Sequence, residues 1–263
     1  METAMLASQR QSLIMDGIRR SGAARVADLT DELGVSDMTI RRDLEQLART
    51  GLVRKVHGGA VLTGNATEEP GFEAKSSREQ PAKEAIARLA CGLIRPGTAI
   101  ALSAGTTTWS LAGELTQLPR MTIVTNSTTV ADLIAARSEP PAHVVILTGG
   151  VRTPSAALVG PVADLTIRSL HVDQLFIGVH GMDAMAGLTT PNLAEAETNR
   201  TLIACAKQVV VCADSTKWGT AGLASFGPLS AADVLISDSG LPADARRLIA
   251  AEVGELMIAD VPA

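Results

Sequence analysis

The chain has 263 residues, of which 46% are hydrophobic but only 2% aromatic, and its net charge is −5. A core must therefore be assembled from Ala, Val, Leu and Ile, and the length suffices for two domains or for a small module joined to a larger α/β unit. No apolar run approaches the roughly 20 residues that span a bilayer, and the N-terminus lacks the pattern of a signal peptide; a soluble cytoplasmic protein without membrane association is expected.

Leu6, Leu13, Ile14 and Ile18 give a helical spacing from about Met5 to Arg20, stopped by Ser21 and Gly22. Val26, Leu29 and Leu33 mark a short second helix. Gly34 supplies a turn residue and Ser36 an N-cap for a third helix. In that third helix Ile40, Leu44 and Leu47 share one stripe, while Met38, Arg42, Glu45 and Arg49 lie opposite, flanked by Thr39 and Arg41. Gly51 is placed to end it. Leu52–Leu62 then reads as two short strands turned at Gly58-Gly59, a wing bearing Arg54, Lys55 and His57.

Charge is distributed unevenly. Residues 1–60 carry nine Lys/Arg and eight Asp/Glu, whereas residues 61–263 carry fourteen and twenty. Positive charge is concentrated locally at Arg41, Arg42, Arg49, Arg54 and Lys55, and a phosphate backbone senses local charge over a Debye length of about 10 Å. Three short helices and a wing suit a protein-interaction module as well as a DNA reader, but the arginines favour DNA. Arg41 and Arg42 fall in the early turns of the helix that would enter the major groove. Arginine pairs bidentately with guanine, for about 1–3 kcal/mol of discrimination. Thr39 suits a phosphate or a thymine methyl; Met38 suits a methyl or simple packing. Asp43 and Glu45 read as acids that support the helix or orient arginines.

The polar stretch Thr63–Gly71 reads as linker, giving domains at residues 1–62 and 81–263 with a linker at 63–80. The second part alternates. A helix over Lys83–Ile94 is followed by strands at Ala99–Leu102, Thr122–Thr125, Val144–Leu147, Gln174–Val179, Val209–Ala213 and Val234–Ser237. Helices fall near Ser110–Leu118, Thr128–Ala136, Leu193–Ala206 and Ala243–Glu252. This pattern predicts a doubly covered, mainly parallel α/β sheet, with ligands at the carboxyl ends of its strands.

Several polar loops lie at those ends. Gly105, Thr106 and Thr107 stand between a strand and a helix, where backbone N–H groups and hydroxyls suit an anion or, equally, a helix cap. Asn126 and Ser127 follow the next strand and favour a site. Gly149 and Gly150 with Arg152 follow a third, where the arginine would clamp a phosphate or carboxylate. Lys217 follows a fourth. Cys91, Cys205 and Cys212 sit in apolar segments as small hydrophobes. His143, His171 and His180 belong to no metal motif, and no metal or other cofactor is expected.

The string VSDMTIRRDLEQLARTGLVRKVHGGA, Val35 to Ala60, resembles the DeoR family of bacterial transcription regulators, with the pattern VS–TIRRDL–L–GL–R–HGGA nearly complete. Thr30 departs from the family, which usually has alanine there. The resemblance continues more loosely through Lys83–Ala87, Gly105–Thr107, Val124–Ser127, Gly149-Gly150, Phe176–Gly178, Gly187–Thr189 and Ala213–Lys217. It implies a winged helix-turn-helix followed by a sugar-phosphate-sensing domain similar to ribose-5-phosphate isomerases and glucosamine-6-phosphate deaminases. The implied function is that of a repressor of a carbohydrate-utilisation operon. Its partners would be a double-stranded DNA operator, read by Ser36, Met38, Thr39, Arg41, Arg42, Arg54, Lys55 and His57, and a phosphorylated sugar or related metabolite. Such regulators work as dimers or tetramers on paired half-sites.

Ser103 replaces the aspartate that the family commonly places before the Gly-Thr-Thr loop. A hydroxyl still hydrogen-bonds sugar hydroxyls but is no carboxylate base, and the lost charge favours a more anionic or differently shaped ligand. Glu195 and Glu197 open a helix where the related isomerases place a catalytic glutamate. The alternative is thus a sugar-phosphate isomerase or deaminase fused to a DNA module, with Asp183, Glu197 and Lys217 supplying base and oxyanion stabilisation. A nicotinamide dehydrogenase is excluded, since no G-x-G-x-x-G follows a strand.

Overall fold

The computed structural model describes residues 6–21, 23–49, 53–56, 58–62, 71–137 and 143–261. The expected helix stop at Gly51, the wing residue His57, the side chain of Arg54 and linker residues 63–70 lie outside what is described. The chain divides into two compact units, Met1–Asn65 and Ala66–Ala263.

The first unit runs α1 (Ala7–Ser21), β1 (Ala23–Arg25), α2 (Val26–Leu33), α3 (Asp37–Arg49), β2 (Val53–Val56) and β3 (Gly59–Leu62). Ile14 and Ile18 of α1, Leu29 of α2 and Ile40, Leu44 and Leu47 of α3 meet in one apolar core, closed by Val53 and Ala60 of the wing. The stripe of α3 therefore lies buried, which turns the opposite, arginine-bearing face outward. Gly34 caps α2 at φ 62°, a left-handed conformation that glycine adopts freely. Thr30 fits where alanine is usual because its Oγ1 donates to the carbonyl of Val26 at 2.7 Å. The wing has three strands, in the order β1-β3-β2. The expected pair lacked β1, whose three residues are too few for alternation to reveal.

The second unit comprises α4 (Phe72–Ser76), α5 (Gln80–Cys91), β4 (Ala99–Leu102), α6 (Thr106–Glu114), β5 (Thr122–Thr125), α7 (Thr128–Arg137), β6 (Val144–Leu147), β7 (Val151–Arg152) and β8 (Leu158–Val159). It continues with α8 (Pro161–Arg168), β9 (Val172–Gly178), β10 (Gly181–Asp183), β11 (Gly187–Thr190), α9 (Leu193–Cys205) and β12 (Ala206–Cys212), then β13 (Ala224–Gly227), β14 (Val234–Asp238), α10 (Ala243–Glu252) and β15 (Glu255–Ala259). Seven strands form one sheet in the order β15-β14-β12-β9-β4-β5-β6. Every neighbouring pair in it is parallel. The six strands expected from the sequence are all in this sheet, and β15 extends it.

Alternate residues of these strands serve two cores, as a period of two requires. Ala101, Val124, Leu175, Ile177, Val211 and Leu235 pack with Ile167, Leu202 and Ile249 of α8, α9 and α10. Ile100, Leu102, Ile123, Phe176, Val210 and Ile236 pack with Ile86, Leu111 and Ile134 of α5, α6 and α7. Both faces are covered, so the strands read as short apolar runs.

The direction of winding reverses once. From β4 the chain builds outward through β5 and β6, then returns to lay β9 against the other side of β4 and builds through β12, β14 and β15. The carboxyl ends of β4 and β9 thus flank the topological switch point, where open α/β sheets leave a crevice. Two smaller pairings complete the unit: an antiparallel sheet β10-β11-β13 and the hairpin β7-β8.

Candidate functional site

On the first unit, α3 is capped by Ser36, whose Oγ accepts from the backbone N of Thr39 at 3.3 Å and contacts Thr39 Oγ1 at 2.9 Å. Ser36, Met38, Arg41 and Arg42 are exposed, Thr39 is half-buried, and Lys55 is exposed on the wing. The apolar Met38 is 66% exposed on this otherwise polar face, a placement that core packing does not explain. Arg41 Nε donates to Asp37 Oδ1 at 2.5 Å across one helical turn, and this pairing raises the guanidinium pKa. Asp43 points the other way. It is buried and receives Arg10 Nε at 2.5 Å and Gln11 Nε2 at 3.0 Å, so the arginine it orients belongs to α1, and the contact fixes α1 against α3. Glu45 remains on the outer face.

On the second unit, a cavity opens at the switch point. Its walls include Ala104, Gly105, Thr106 and Thr107 after β4, Asn126 after β5, Gly178, Val179 and His180 after β9, and Lys217 after β12. Further walls come from Phe72 and Lys75 of α4, Ser155 and Ala157, Thr190 of β11, and Glu195 and Asn199 of α9. Gly105 stands at φ 149° before α6, a backbone setting that favours glycine. The N-cap of α6 is this glycine and makes no side-chain cap hydrogen bond among the described residues, so the first N–H groups of α6 lie at the cavity end of the helix, where helix starts favour anions. Lys217 Nζ lies 3.7 Å from Asp214 Oδ2, a buried oxygen with no hydrogen-bond partner among the described residues.

The residues expected to hold a ligand separate into two groups. Gly105, Thr106, Thr107, Asn126 and Lys217 line the cavity; Ser103, Ser127, Gly149, Gly150, Arg152 and Asp183 do not. Asn126 has both ends of its amide engaged, with Oδ1 accepting from Ala104 N at 2.9 Å and Nδ2 donating to Leu158 O at 3.2 Å. Ser103 is buried; its Oγ accepts from Gly178 N at 3.1 Å and donates to Ala104 O at 3.3 Å, stapling β4 to β9 beneath the cavity. Ser127 Oγ caps α7 by accepting from Val130 N. Gly150 is set by packing, because a Cβ there would lie 2.6 Å from the carbonyl of Val159. Arg152 is exposed on β7. Asp183 Oδ1 accepts from Met185 N and Ala186 N and shapes the β10–β11 turn.

Sequence reasoning missed the contributions of α4, β11 and His180, and it placed Glu195 at a helix start matching the catalytic glutamate of the related isomerases without assigning it to the ligand site. Asn192 caps that helix, accepting from the backbone N of Ala194 and Glu195. Beside the cavity, Lys83 is buried and donates to the carbonyl of Lys75 at 2.6 Å and to that of Arg78. Burial pushes its pKa down to about 8, against the opposing pull of Asp214. Burial, with the nearby Asp214 and Asp238 charges, raises the pKa of Glu79.

Comparison with known proteins agrees with this division. The model of the DeoR-like helix-turn-helix domain matches residues 10–65, and that of the DeoR C terminal sensor domain matches residues 78–239. The chain is 35% identical to an HTH-type transcriptional regulator, YgbI, of Escherichia coli K12, over 97% of this chain and 99% of that one. It is 33% identical to a putative aga operon transcriptional repressor of Escherichia coli O157:H7, over 90% and 88%. Among solved structures, ribose 5-phosphate isomerase A from Neisseria gonorrhoeae is similar with a TM-score of 0.39 at 13% identity, covering 56% of each chain. With an arginine-bearing helix on one unit, a switch-point cavity on the other and both family models matched in order, the chain belongs to the DeoR family of DNA-binding transcription regulators.

Proposed function

We propose that this regulator represses a carbohydrate-utilisation operon and is controlled by a phosphorylated sugar, or a related metabolite, bound in the switch-point cavity. The observation that carries the reading is the meeting of the uncapped start of α6, the Gly105–Thr107 loop and Lys217 at one crevice. Backbone donors and an ammonium together suit a phosphoryl group. A similar chain bears the name of an aga operon repressor, which supports a sugar-linked role.

On the first unit, Ser36, Thr39, Arg41, Arg42 and Lys55 would meet phosphates and base edges, with Met38 against a thymine methyl; Arg54 and His57 would extend the wing contact. Docking of Arg41 exchanges its Asp37 partner for DNA, so Arg42 is the stronger reader of a base. Two copies or more would bind paired half-sites, since one small module has modest affinity.

The cavity would bind without turnover. Of the three groups offered for an isomerase or deaminase, Lys217 alone lines the cavity: Asp183 shapes a turn, and Glu197 is exposed and paired with Arg200 at 2.8 Å, while the carboxylate that does line it, Glu195, is engaged by the hydroxyls of Thr153, Ser155 and Thr190. Product analysis after incubation with sugar phosphates checks this, and conversion would overturn it.

The main test is binding to the chain's own upstream DNA against random duplex at several salt concentrations. Arg42→Ala should weaken specific binding by about tenfold or more. Lys217→Ala should raise the phosphorylated-sugar concentration needed for release by a similar factor. No preference for the upstream DNA at low salt would remove the reading.

A further inference from the structure

We infer that Glu195 acts as a charge filter: it admits ligands that present O–H or N–H donors opposite their phosphate and rejects those that carry a second anionic group there. This rests on the cavity's being the effector site and specifies which class of effector the site takes.

Glu195 is the one acid among the described residues that line the cavity. Its carboxylate is held from several directions. Thr153 Oγ1 donates to Oε1 at 2.7 Å, Ser155 Oγ donates to the same oxygen, and Thr190 Oγ1 donates to Oε2 at 3.2 Å. All three hydroxyl-bearing residues are buried. They come from the β7–β8 hairpin and from β11, while Glu195 belongs to α9, so three parts of the unit fix one carboxylate. Turning it away from an unwelcome ligand would break several of these bonds at once.

The remaining polar wall includes donors at Lys217 and at the backbone start of α6. A ligand with its phosphate at that wall meets a fixed negative charge elsewhere in the same cavity. A hydroxyl or ammonium satisfies this charge, whereas a carboxylate or second phosphate is repelled by it. Ser103 does not relieve the repulsion, because it lies beneath the cavity wall with its hydroxyl bonded to Gly178 and Ala104. Glu195 is thus the carboxylate resident in the cavity.

Matched ligand pairs that differ only in one terminal carbon test the filter. D-Glycerol 3-phosphate and 3-phospho-D-glycerate, of one configuration at C2, form one pair; glucitol 6-phosphate and 6-phosphogluconate form another. Each pair exchanges CH2OH for a carboxylate. Calorimetric titration of the full chain should give the alcohol at least about tenfold tighter binding than its acid, in whichever pair binds. Glu195→Gln should bring the two within about threefold, and Glu195→Asp should retain the gap. Glu197→Gln removes the same charge from an exposed position outside the cavity and should leave the gap intact, which separates a local filter from the general acidity of the domain.

Equal binding of acid and alcohol by the unaltered chain would overturn the filter while leaving the effector site standing, and that measurement needs no variant to fold. A gap that persists in a folded Glu195→Gln protein would overturn it too. If no member of either pair binds at millimolar concentration, the effector-site reading itself fails and the filter falls with it.

Discussion

Lys83 illustrates how a single residue can be visible in a sequence and yet unreadable there. It belongs to the Lys83–Ala87 segment that carries part of the family resemblance, but nothing in its spacing shows that its ammonium is buried or that it binds the carbonyls of Lys75 and Arg78. Those carbonyls lie in α4 and in the turn just after it, and Phe72 and Lys75 of α4 form one wall of the cavity. The folded-state pKa is lowered from 10.5 to about 8. Between these values the unfolded chain holds a proton that the folded chain has released, so stability rises with pH across this window. Replacing Lys83 with methionine removes the dependence. In urea melts at pH 7.5, 8.5 and 9.5, the unaltered chain should gain on Lys83→Met, by at most a factor of about ten in the unfolding constant per pH unit. A constant gap would show that the buried amine does not titrate there. Asp43 was hidden in the same way: its partners Arg10 and Gln11 are more than thirty positions away in the chain.

Among secondary-structure elements, the wing gives the sharpest expectation. Gly59 pairs with Arg25 in β1, and a Cβ at Gly59 would lie 2.2 Å from the carbonyl oxygen of Ala24. That obstacle is backbone, so β1 and β3 must separate to admit even alanine. Gly58 has φ +79° with open space around its missing Cβ, so asparagine is tolerated there. Gly59→Ala should therefore lower operator affinity by about tenfold or more, whereas Gly58→Asn should change it less than threefold; both should leave the melting of the sensor unit unaltered. Equal effects would mean that the β1–β3 contact does not set the wing. The resemblance string ends in HGGA, and the physical need behind its second glycine appears only once β1 is in place. Elsewhere, alternating strands and helices were legible because apolar runs and polar loops persist over four or more residues. Strand order was not, since β9 returns to β4 across a long stretch of chain. The loops after β4 and β12 could be read as site segments because they follow strands directly, but α4, β11 and α9 reach the cavity only through the fold. Gly150 was ambiguous for a related reason: close packing against β8 asks for the same residue that an anion loop would.

For the molecule as a whole, the two units join opposite electrostatic characters in one chain. Residues 61–263 carry six more acidic than basic residues, whereas residues 1–60 carry one more basic than acidic. On the proposed reading, DNA would be attracted to the first unit, and the acidic remainder would oppose wider contact. Control by a metabolite then requires unequal affinity of that metabolite for the DNA-bound and DNA-free protein, typically a coupling of about 1–3 kcal/mol. Coupling is reciprocal. If a phosphorylated polyol weakens operator binding by some factor, saturating operator must weaken binding of that polyol by the same factor, roughly 5- to 150-fold at this coupling. Titrating the polyol into the free protein and into the protein–operator complex at one salt concentration measures the second factor; titrating operator with and without saturating polyol measures the first. Equal factors are expected, and Lys217→Ala should weaken polyol binding to both forms. If the polyol binds the free protein and the operator complex with one affinity, then the cavity binds a metabolite without controlling DNA, and regulation must enter the protein by another route.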